Sequence, residues 1–185
     1  SVGYAKPSKE YINNKIVQAA LENGVDPLLL KSICQAESSS KLDPQAFNYS
    51  DGGNNNHAFG ICQLLYSTAS GLGFKDLKCK KKFPDKTNRK WSSCKLFGPY
   101  TNATYAAKYL SRQLKRYKGN VNKAISSYNL GSVKYCKTGS LTIKFKDQDT
   151  GKTKIYKKKC VKGDYLNSYY VKKVNRNLKK LKQIK

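Results

Sequence analysis

The chain of 185 residues has no methionine, one histidine, one tryptophan and only 11 acidic residues. It has no CxxC pair and a lone histidine, His57, which speaks against a zinc site; no metal or organic cofactor is implied. No apolar run approaches the ~20 residues that span a bilayer, and the longest near the start is Leu28-Leu29-Leu30. Neither a transmembrane segment nor a signal peptide is therefore visible. A chain that begins at Ser1 and lacks methionine throughout reads as mature or trimmed, its leader absent. The scarcity of acid leaves 37 Lys and Arg residues uncompensated, for a net charge of +26. Such a charge attracts polyanions: nucleic acid, acidic cell-wall polymers and anionic lipid all qualify. The runs Lys80-Lys81-Lys82, Lys157-Lys158-Lys159 and Lys179-Lys180 each read singly as solvated faces; the total is harder to set aside.

Hydrophobic residues make up 38% of the chain, with 14 Tyr and 6 Phe. That is enough for a core, and the length favours one domain spanning 1–185. Six cysteines, an even number in a basic chain, fit three disulfides and an oxidising compartment. Many pairings are open in principle. Locality favours Cys79–Cys94 across a lysine-rich loop and Cys136–Cys160 across a hairpin; Cys34 and Cys62 remain, either as a third disulfide or as two free buried thiols.

Apolar periodicity predicts a mainly α chain with small β content. Ser8 caps a helix over 8–23, stopped by Gly24. Asp26 and Pro27 open a second, in which Leu30, Ile33, Cys34 and Glu37 fall on one face. Residues 41–58 read as loop or short irregular strand, with a short helix following Gly60. The lysine-rich stretch 73–100 shows no clear periodicity and reads as a long surface loop. Thr101 or Asn102 is expected to cap a helix ending at Gly119, and Asn120 to cap another that aims Tyr128 at its apolar side. Residues 140–146 and 153–159 alternate about Asp149-Thr150-Gly151 as a β-hairpin, an insertion of about 136–160. A last helix begins near 167 and turns Tyr170 or Val171, Val174, Leu178 and Leu181 inward. No internal repeat is present.

Glu37 is the exception in this pattern, a carboxyl where the helix face calls for an apolar side chain. Desolvation raises a carboxyl pKa, and an acid still protonated near neutral pH can protonate a leaving group. From this helix alone, a core-edge glutamate paired with lysine would look the same.

Three further segments alter that balance. Glu37-Ser38 is followed by Pro44-Gln45-Ala46; Phe59-Gly60-Ile61-Cys62-Gln63-Leu64 is followed by Thr68-Ala69; Ser127-Tyr128-Asn129-Leu130-Gly131 comes third. In order and spacing they resemble the catalytic domain of soluble lytic transglycosylases of the goose-lysozyme-like type, over roughly 26–178. The resemblance implies a lysozyme-like helical fold with small β insertions, secreted or periplasmic, acting on peptidoglycan strands; the oligomeric state is left open and a monomer is assumed. It implies Glu37 as the single catalytic acid/base. Gln63, Tyr128, Asn129, Ser38, Asn48 and Tyr170 fall at its substrate-binding positions, with Tyr128 close to the carboxyl, Tyr170 closing the pocket and Ser38 holding the loop. Cys62 stands where the family has methionine, and Asn48 where it often has serine.

Cleaving a β-1,4 bond of an amino-sugar polymer requires protonating the leaving oxygen while positive charge grows at the anomeric carbon. Most glycosidases use two carboxylates, but a 2-acetamido group lets the substrate assist, so one acid suffices. The resemblance implies that Glu37 then deprotonates the sugar's own C6 hydroxyl, leaving a 1,6-anhydromuramic end. A hydrolytic alternative assigns Asp51, or Asp43, to activate water. A further alternative is a non-catalytic glycan or polyanion binder. Nucleic acid is not an expected partner, since none of its recognition motifs occurs.

Overall fold

The computed structural model describes residues 5–49, 56–146 and 152–184. The chain is mainly α, with small antiparallel sheets. Helix α1 (Lys9–Glu22) starts where Ser8 Oγ accepts the Tyr11 N–H at 3.1 Å. Helix α2 (Pro27–Ser38) starts where Asp26 Oδ1 accepts the Leu28 N–H at 2.8 Å, and it ends at Ser39, whose φ is +83°. A cap of this kind is worth about 1 kcal/mol. Three short strands follow, β1 (Phe47–Asn48), β2 (Ala58–Phe59) and β3 (Leu64–Leu65), paired antiparallel in that order. The short helix α3 (Tyr66–Ser70) completes this segment.

Helix α4 (Pro99–Arg116) begins earlier than the expected cap at 101 or 102. Pro99 occupies the first turn after Gly98, where its missing N–H costs nothing. Asn102 therefore lies inside the helix, fully buried. Asn120 caps α5 (Val121–Leu130) through the Lys123 N–H at 3.0 Å, and Gly131 ends it at φ +77°. Strands β4 (Ser140–Lys146) and β5 (Thr153–Lys159) form the expected hairpin; its expected turn at 149–151 lies outside the described residues. Helix α6 (Ser168–Gln183) buries Tyr170, Val171 and Val174.

The main core lies among α1, α2, α4, α5 and α6. A second core corrects the reading of 73–100 as a surface loop. Phe47, Phe59, Phe74, Phe83 and Phe97 bury together around Cys79 and Cys94, five of the six phenylalanines in the chain. The stretch carries three short 3₁₀ turns, Leu77–Lys80, Lys86–Asn88 and Lys95–Phe97, each burying one or two residues or none. Irregular turns give no repeating period, so this core is invisible to a search for helical or strand spacing.

Candidate active site

All six cysteines pair: Cys79–Cys94 and Cys136–Cys160 as locality favoured, and the remaining Cys34–Cys62 as a disulfide and not as free thiols. Cys34–Cys62 joins α2 to the turn at 60–63, one helical turn before Glu37. Three more ties hold that turn. Ser38 Oγ donates to the Ile61 carbonyl at 2.6 Å, with the Cys34 carbonyl 3.2 Å away. The Tyr128 hydroxyl donates to the Cys62 carbonyl at 3.1 Å. Asn102 donates to the Phe59 and Leu96 carbonyls at 2.7 and 2.9 Å and accepts the Cys62 N–H at 2.9 Å. Gly60, at φ +71°, admits this approach because a Cβ there would stand 2.6 Å from the Asn102 amide nitrogen. Sequence reasoning missed Asn102 because a polar residue at a helix start reads as a cap.

These ties set one wall of a cleft of about 370 Å³, whose lining includes Glu37, Asn48, Gln63, Thr68, Tyr128 and Asn129. Three segments far apart in sequence thus meet where the motifs anticipated. Gln63 sits at φ +45°, a left-handed conformation uncommon for a side-chain-bearing residue. Its amide donates to the Gly60 carbonyl at 3.0 Å and accepts from the Asn48 amide. Asn129 Oδ1 accepts from Asn167 at 3.1 Å, and Asn167 is itself held by Ser126. Ser38 is not part of the lining; both its contacts are backbone carbonyls, so it latches the turn.

The half-buried Glu37 occupies the next-to-last position of α2. Burial pushes its carboxyl up to about 7, against the opposing pull of the Tyr170 hydrogen bond and the Lys173 ammonium. The Tyr170 hydroxyl donates to Glu37 Oε1 at 2.6 Å, from α6. Lys173, one turn on, donates to the Ala36 carbonyl at 2.7 Å, capping the end of α2. One expectation changes here. Tyr170 stands behind the acid and not among the cleft-lining residues, and Tyr128, though near enough for the carboxylate to help raise its phenol, spends its proton on Cys62. Burial is the larger cause holding both phenols well above their usual range. Lys173 escaped the sequence reading, although its spacing from Tyr170 on an amphipathic helix marks both as one face.

Asp43 does not line the cleft. Burial alone would raise its carboxyl, but Lys86 at 3.0 Å and the Gln45 N–H at 3.0 Å hold it below the usual range. Asp51 lies outside the described residues. His57 packs against Phe47 and Tyr49 in the second core, and among the described residues no group of three or more His, Cys, Asp or Glu side chains is placed to hold a metal ion. No helix among them is long and apolar enough to cross a membrane.

Glu37, its carboxyl raised to about 7 at the wall of this cleft, has the chemistry of a general acid or base. The profile of a known family, described as the transglycosylase SLT domain, matches residues 14–150, which contain Glu37 and all three motif segments. The match ends before α6, so Tyr170 and Lys173 reach the acid from outside it. The chain belongs to the SLT transglycosylase family, whose members cleave glycosidic bonds.

Proposed function

We propose that the chain is a peptidoglycan lytic transglycosylase, cleaving the β-1,4 bond between N-acetylmuramic acid and N-acetylglucosamine to leave a 1,6-anhydromuramic end. The observation that carries this reading is Glu37, a carboxyl raised to about 7 in the cleft wall with Tyr170 bonded behind it. Protonated, Glu37 delivers its proton to the leaving oxygen. The resulting carboxylate then takes the proton of the C6 hydroxyl, which attacks the anomeric carbon within the same sugar. Internal attack gains from proximity, and acid–base help contributes ~10²–10⁴-fold. Gln63 and Asn129 bear the amide groups that contact the sugar, and Asn48 fixes the orientation of Gln63. Three disulfides fit a secreted or periplasmic setting.

Mass spectrometry of digested peptidoglycan tests the outcome, because an anhydro end is lighter by one water than a hydrolysed one. Anhydro ends support the proposal. Hydrolysed ends would replace it with a muramidase in which Asp51 activates water, and no cleavage would leave a binding module.

A further inference from the structure

Ten lysines lie between 134 and 162, against two aspartates. They cluster on the β4–β5 hairpin, and every residue of β5 is exposed. The register places Ser140 opposite Lys159, Thr142 opposite Lys157 and Lys144 opposite Ile155. Alternate residues of a strand share a face, so these six lie on one side of the hairpin. That face repeats an ammonium beside a hydroxyl, Lys159 with Ser140 and then Lys157 with Thr142, about 7 Å apart along the strand by its rise. Among the described residues, no carboxylate forms an ion pair with Lys144, Lys157 or Lys159.

The arm is firmly mounted. Cys136–Cys160 closes its base, the Tyr135 and Tyr165 rings stack at 5.5 Å, and backbone bonds join Cys136 to Asp164 and Leu166 to Lys134 at 2.9 and 2.8 Å. Five residues before Cys136 stands Gly131, part of the cleft lining. The charged face is therefore continuous in the chain with the end of the cleft.

We propose that this hairpin is a binding arm for a polyol-phosphate wall polymer, held beside the glycan strand being cut. The inference rests on the wall-acting reading above. A phosphodiester presents two free oxygens, which accept from an ammonium and a hydroxyl together. Its charges recur at a short regular interval, as the Lys–hydroxyl pairs do, whereas stem-peptide carboxylates do not form such a row. A nucleic acid offers similar phosphates, but the disulfides and the SLT membership point to the wall.

The test measures binding of a glycerol-phosphate polymer to the full chain and to Lys144→Gln/Lys157→Gln/Lys159→Gln. The expected loss is at least about tenfold at low salt, and the plot of log affinity against log salt becomes shallower by about 2. The matching triple Lys→Arg variant keeps the affinity, and both variants keep the parent melting temperature and the rate on short soluble glycans. Equal binding by the parent and Gln variants overturns the proposal. So does tighter binding of the parent to polyglutamate, single-stranded DNA or phosphatidylglycerol vesicles. The polymer backbone has no glycosidic bond, so this result is read without turnover and fails separately from the cleavage reading.

Discussion

At the residue scale, Glu37 trades stability for a useful proton. In the unfolded chain its carboxyl titrates near 4.5, and in the folded chain at about 7. Between these values the folded state holds a proton that the unfolded state releases. Its contribution to stability is therefore fully present below pH 4.5 and is lost as pH rises through 7, by about 3 kcal/mol. Glu37→Gln removes the buried charge, so urea unfolding should show it more stable than the parent by about that amount at pH 8 and nearly equal at pH 4, while cleavage is abolished. An active variant rules out the assignment. The same titration predicts that kcat/KM falls as pH rises through about 7. The Tyr170 hydrogen bond lowers the Glu37 pKa, so Tyr170→Phe should move that alkaline limb to higher pH and slow turnover. An unmoved limb would make Tyr170 a packing residue only. Glu37 was legible because a carboxyl on an apolar helix face breaks a pattern. Its direct partner was legible only as a motif position, since the bond joins residues 133 apart and depends on how α6 docks.

At the scale of elements, the turn at 60–63 carries the site, because it positions Gln63 and braces both α2 and α5. Its hub is the Asn102 amide, bonded to three backbone groups and fully buried. Asn102→Leu keeps the approximate volume but leaves the Cys62 N–H and two carbonyls without their partner. Each buried unsatisfied group costs about 1–3 kcal/mol, so the variant should lose roughly 3–5 kcal/mol in denaturant unfolding. It should also lose activity beyond its unfolded fraction, because the turn shifts against Glu37. A loss below about 1 kcal/mol would show that water or relaxation replaces these bonds. The helices themselves were legible from caps and spacing: Ser8, Asp26-Pro27 and Asn120 all act as read. The start of α4 was not, because Gly98-Pro99 and the Thr101-Asn102 pair both satisfy local start rules, and only the tertiary use of Asn102 decides between them.

For the whole molecule, composition and distribution carry different information. The net charge of +26 was plain from the sequence, and so was the means of closing three loops with disulfides. That the lysine-rich stretch 73–100 wraps an aromatic core was not, because its phenylalanines follow no period. The charge acts at long range on encounter, whereas the cleft acts at contact. Salt separates the two, since the Debye length is about 10 Å at 0.1 M and shortens as salt is added. On intact anionic walls, kcat/KM should fall several-fold between low and physiological salt while kcat stays nearly constant, because only the approach is screened. On a short soluble glycan without stem peptides, which carries only one lactyl carboxylate per disaccharide, kcat/KM should fall much less over the same range. If both substrates respond alike, the charge works inside the cleft, and the division between an attracting surface and a sugar site that acts at contact is wrong.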